Sequence, residues 1–79
     1  MRAEKYIIVS EVAGQTSSKI RFGFGAAGEE VQQLLETPGL ERVRVKVDGM
    51  TVETTFVPGK ALRLLDIKQK IKQLTMDVR

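Results

Sequence analysis

The chain has 79 residues, 42% of them hydrophobic and 29% charged, which places it near the lower size limit for a self-sufficient core and among globular rather than disordered chains. It has no Cys and no His, which removes disulfides, thiolate metal sites and the commonest general base. The net charge of +3, with a pI near 9.5, tilts it mildly toward anionic partners.

Met1-Arg2-Ala3-Glu4-Lys5 leads into an apolar run of only Tyr6 to Val9. That run does not read as a signal peptide and falls far short of the roughly 20 apolar residues that span a bilayer. A cytoplasmic location with no membrane partner is therefore expected. Lys5 to Val12 is β-branched and apolar in its middle, a first strand. Ala13 to Ser17 supplies turn chemistry. From Ser18 to Phe24 the pattern alternates, with Ile20, Phe22 and Phe24 on one face and Lys19, Arg21 and Gly23 on the other, which makes a second strand and a first hairpin.

A short helix is predicted from Gly28 to Glu36. Glu29 and Glu30 would sit in its first turn, where the helix dipole favours negative charge, and Val31, Leu34 and Leu35 form its apolar stripe. Thr37-Pro38-Gly39 ends it. Asp48-Gly49 then suits a two-residue type I′ turn, because both central positions need positive φ. That turn sets Val47 opposite Met50, Val45 opposite Val52 and Val43 opposite Thr54, with Arg44 facing Glu53 on the other side. Val57-Pro58-Gly59 closes the sheet. The last element, Lys60 to Met76, is a helix with a broad apolar first half (Ala61, Leu62, Leu64, Leu65, Ile67). A narrower seam of Leu64, Ile67, Ile71, Leu74 and Val78 follows it at spacings of three and four.

The fold class that follows is α+β in the order ββαββα. Two antiparallel hairpins would join in one four-stranded sheet, the C-terminal helix packing on one sheet face and the short helix lying at an edge. One domain covers the chain. So small a core favours a homodimer.

Gly23-Phe24-Gly25-Ala26-Ala27-Gly28 matches the G-x-G-x-x-G pattern of dinucleotide sites, with Asp48 twenty residues beyond. The chain is too short for a doubly wound domain, Glu29 and Glu30 stand where phosphates would lie, and Asp48 belongs to a turn. The glycines read instead as a tight strand-to-helix connection, and no cofactor is expected. Ser10, Ser17, Ser18 and the threonines have no His to activate them, and Glu29, Glu30 and Glu36 read as capping and solvation, so no enzyme and no metal site are expected.

Two basic features remain. Arg42, Arg44 and Lys46 form a ladder on the outer face of the second hairpin, suited to a phosphate backbone or, more plainly, to a solvated sheet face. From residue 60 onward six cations stand against two carboxylates, a net +4, with Lys68, Lys70 and Lys72 flanking the seam. The stretch from Lys19 to Val57, with strand, short helix, "PGLERVRVKVDG" and hairpin, loosely resembles the swapped-hairpin DNA-binding domains of AbrB-type transition-state regulators. That resemblance covers about half the chain and implies an intertwined dimer presenting arginines to DNA, although the family's helix usually opens with a proline where this chain has Gly25-Ala26-Ala27-Gly28.

The function expected from the sequence is a non-enzymatic binding module. The first reading is a basic, dimeric nucleic-acid-binding protein using Arg42, Arg44 and Lys46, with Lys68, Lys70 and Lys72 as auxiliary charges. The alternative is a protein-interaction module (an adaptor, an inhibitor, or a phage or plasmid structural component) acting through Ile67, Ile71, Leu74 and Val78 or through a sheet edge.

Overall fold

A computed structural model describes residues 4–59 and 62–76. The elements run β1 (Lys5–Val12), β2 (Gln15–Phe22), α1 (Phe24–Leu35), β3 (Leu40–Val47), β4 (Glu53–Phe56) and α2 (Leu64–Met76). The four strands make one antiparallel sheet in the order β2-β1-β3-β4, so the class is α+β with the expected ββαββα sequence. The hairpins are joined side by side inside one chain by the pairing of β1 with β3.

Both helices lie on the same sheet face. Tyr6 and Ile8 of β1, Val43, Val45 and Val47 of β3 and Phe56 of β4 pack in one cluster with Ala27 and Val31 of α1 and Ile67, Ile71 and Leu74 of α2. Burying each of the Val, Ile, Leu and Phe side chains among them contributes about 1.5–3 kcal/mol against exposure. Helix α1 therefore lies over the sheet beside α2, not at an edge as expected.

The β1–β2 connection, not Asp48-Gly49, is the two-residue type I′ turn. Val12 pairs with Gln15, and between them Ala13 and Gly14 have φ of 51° and 82°, the two positive values of a type I′ turn. At Asp48-Gly49 only Gly49 has positive φ (82°). There the Asp48 N–H donates to the Lys5 carbonyl at 2.9 Å, extending β3 along β1, while the Met50 N–H donates to the Val47 carbonyl at 3.1 Å. Committing Asp48 to β1 lengthens the connection. Val43 thus faces Phe56, Val45 faces Thr54 and Lys46 faces Glu53, a register two residues from the expected one. An even shift keeps every side chain on its face.

Helix α1 starts four residues before the expected Gly28. Gly23, with φ of 88°, turns the chain, and the Ala27 N–H donates to its carbonyl at 3.1 Å. Gly25 and Gly28 lie inside the helix. A Cβ on Gly28 would stand 2.6 Å from Lys68 Cγ, so Gly28 is the point where α1 and α2 approach most tightly among the glycines. Glu29 and Glu30 consequently sit in mid-helix rather than in its first turn.

Candidate functional site

Among the described residues, the second sheet face carries no helix. Strand pairing arranges its side chains in rows running from β2 through β1 to β3 and β4. One row holds Phe22 and Lys5; the next holds Ile20, Ile7, Lys46 and Glu53; the third holds Ser18, Val9, Arg44 and Thr55; the last holds Thr16, Glu11 and Arg42. Phe22, Ile20, Ile7 and Val9 are contiguous on this grid. Phe22 is 62% exposed and Ile20 47%, while Ile7 and Val9 of the central strand are half-buried.

Strand β2 thus presents its apolar set to solvent and its charges to the helices. Its register sets Arg21 opposite Tyr6 and Lys19 opposite Ile8, both core-facing residues of β1. Helix α1 supplies the counter-ion. Glu30, 8% exposed, accepts a hydrogen bond from Arg21 Nη2 at 2.9 Å and lies 3.4 Å from Lys19 Nζ. A carboxylate so buried needs such partners, because desolvation otherwise disfavours its charge. In the sequence, the place of Glu30 beside Glu29 near a predicted helix start points instead to a solvated capping residue. Its spacing from Val31 and Ala27, on the inward side of α1, was the signal that could have found it.

The expected basic ladder is on this face, but it is partly neutralised. Glu11 Oε2 lies 3.5 Å from Arg42 Nε and 3.7 Å from Arg44 Nε, and Lys46 stands across from Glu53. Arg44 Nε is covered and makes no hydrogen bond among the described residues, since 3.7 Å exceeds hydrogen-bond reach. Lys5 leans on Asp48 at 3.9 Å. Counting Lys5, Arg42, Arg44 and Lys46 against Glu11, Asp48 and Glu53, the face retains an excess of one positive charge.

Lys68, Lys70 and Lys72 do not join it, because α2 packs on the opposite side of the sheet. Lys68 Nζ lies 3.8 Å from Glu29 Oε2 on α1, and Lys72 Nζ sits 5.4 Å above the Phe24 ring. Lys70 borders a shallow groove with Glu53, Thr54, Gln73 and Leu74. The two basic features therefore make no continuous footprint.

The expected partner seam is also relocated. Ile67 and Ile71 are fully buried and Leu74 nearly so, all inside the chain's own core, which leaves no apolar seam of these residues for a partner. Val78 lies outside the described residues. No helix of the described residues is long and apolar enough to cross a membrane. In comparisons with known proteins, no family model, no curated protein and no solved structure matches this chain.

Proposed function

We propose that this protein is a non-enzymatic protein-interaction module that acts through the open face of its sheet. The observation that carries the reading is the contiguous apolar group Phe22, Ile20, Ile7 and Val9, left uncovered by the described residues on a face whose charged residues, four cations against three carboxylates, leave it slightly cationic. Apolar groups gathered on one surface and bordered by charge are the usual composition of a protein-binding patch. An acidic partner offering apolar side chains complements both halves of the face.

The test is selection of binders from a displayed random-peptide library, followed by competition with an F22S/I20S variant. Both side chains lie on the uncovered face, so the variant keeps its fold and its melting temperature to within a few degrees. Selected peptides are expected to carry apolar residues and to lose binding to the variant.

A second reading is favoured by one feature, the Arg42-Arg44-Lys46 column two strands from the exposed Phe22 ring. That combination suits a single-stranded nucleic acid, with phosphates on the arginines and a base stacked on the ring. Oligonucleotide binding that falls steeply with salt and disappears in R42A/R44A/K46A, without any peptide binder that depends on Phe22, would replace the first reading by this one.

A further inference from the structure

The two edges of the sheet are unequal. Strand β4 spans only Glu53–Phe56 and is followed closely by Pro58, a blunted edge. Strand β2 is eight residues long, contains no Pro, and pairs with β1 without a bulge. Its outward backbone groups can be identified. The Gly23 N–H donates to the Glu4 carbonyl at 2.8 Å, so Gly23 faces β1. Alternation along an antiparallel strand then turns Arg21, Lys19 and Ser17 toward β1 and leaves the N–H and C=O groups of Thr16, Ser18, Ile20 and Phe22 facing away from the sheet. The Ile20 carbonyl is capped, accepting a hydrogen bond from Arg21 Nη1 at 2.8 Å.

Long edges are commonly protected by charges that project from them. Here Lys19 and Arg21 pair with Glu30 on the helix side, Arg21 covering the edge only at the Ile20 carbonyl, and the open-face neighbours at this edge are Ile20 and Phe22.

Resting on the protein-binding reading above, we propose that β2 is a docking edge for an extended acidic segment of a partner protein, added to the sheet as a fifth strand. The side chains of an added strand alternate between the two sheet faces. On one side they would meet Ile20 and Phe22, which calls for apolar residues. On the other they would lie beside Lys19 and Arg21, two cations sharing the single carboxylate of Glu30, which calls for Asp or Glu. The partner segment is thus an alternation of apolar and acidic residues.

A second copy of this chain fits less well. It brings a net charge of +3 against +3.

The experiment titrates the full chain with a capped seven-residue peptide of alternating Val and Glu while following amide hydrogen exchange by NMR. The expected result is new protection at Thr16, Ser18, Ile20 and Phe22, with the inward amides of Ser17, Lys19 and Arg21 unchanged. Peptide with Lys in place of Glu should not protect them. Proline at Ser18 removes an outward N–H and no bond to β1, so S18P should fold and bind about tenfold more weakly. A peptide methylated on alternate backbone nitrogens tests the same bonds without altering the protein. Peptide that shifts Ile7, Val9 and Ile20 methyl signals without protecting the outward amides would overturn strand addition while leaving the open-face reading intact. No peptide effect at all, with oligonucleotide shifting the Phe22 ring, would overturn both. Protection that appears without peptide and grows with protein concentration would assign the edge to a second copy and overturn the peptide occupant.

Discussion

Replacing Gly28 by Ala should change stability in opposite directions depending on what stands at position 68. Gly28 lies inside α1, where Ala gains about 1 kcal/mol over Gly from helix propensity alone. Against that, the new Cβ would stand 2.6 Å from Lys68 Cγ, closer than carbon atoms approach. Relieving the overlap by moving α2 or forcing the Lys68 rotamer costs about 1–3 kcal/mol. The single variant G28A should therefore be destabilised by up to about 2 kcal/mol. Truncating Lys68 to Ala removes Cγ, and the remaining neighbours, Lys68 Cα at 3.5 Å and Cβ at 3.6 Å, are ordinary contacts. In the K68A background G28A should stabilise by about 1 kcal/mol. The Lys68–Glu29 ion pair lost in K68A is largely solvent-exposed on the Glu29 side and contributes little by itself. Urea unfolding of the four proteins of this cycle, followed by circular dichroism, reads the coupling directly. Equal stabilisation by G28A in both backgrounds would refute the close approach of α1 and α2 at this point.

Ala13 is a non-glycine residue at φ of 51°, a conformation that costs an L-residue about 1–2 kcal/mol. A13G should therefore raise stability by about 1 kcal/mol, seen as a rise of about 4–8 °C in melting temperature, whereas A13V should lower it. The Tyr6 phenol is pushed above its ordinary value near 10 by burial, with Thr75 opposing the shift and Glu4 adding to it. Because its proton is held more tightly in the folded chain than in the unfolded one, Tyr6 contributes stability that is fully present below pH 10 and is lost as pH rises through the folded value. Denaturant midpoints measured between pH 9 and 11.5 should fall across that window, and less steeply in Y6F.

The elements whose local chemistry and tertiary demands agreed could be read from the sequence. Strand β3 is one: Val43, Val45 and Val47 alternate with Arg42, Arg44 and Lys46, and the buried set is the one the alternation implies. The inward stripe of α2 is another, since Ile67, Ile71 and Leu74 follow the helical period. Where signals competed, tertiary bonding decided. Asp48-Gly49 has the better composition for a type I′ turn, yet the bond from Asp48 to Lys5 lengthened that connection, and Ala13-Gly14 took the I′ geometry instead. The glycine pattern from Gly23 to Gly28 read as loop because helix propensity counts against Gly; what it could not express is that Gly28 lets a second helix approach. An apolar period of three and four does not by itself distinguish a partner seam from a core stripe, and the core took Ile67 and Ile71.

The open face was legible in one respect that the alternation of β2 concealed. Strand β1 is apolar at both parities, Tyr6 and Ile8 as well as Ile7 and Val9, and only one set can meet helices when both helices share a face. The exposure of Ile20 and Phe22 then follows from three constraints acting together. The two-residue turn fixes the β1–β2 register, the register sets Lys19 and Arg21 beside the helices, and Glu30 holds them there. Slipping β2 by one residue would bury the two apolar side chains but turn both cations outward and leave Glu30 buried without either partner, at a cost of several kcal/mol. The surface on which the binding proposal rests is therefore held open by the same ion cluster that packs α1 onto the sheet, and a partner that engaged Lys19 or Arg21 would act on that cluster directly.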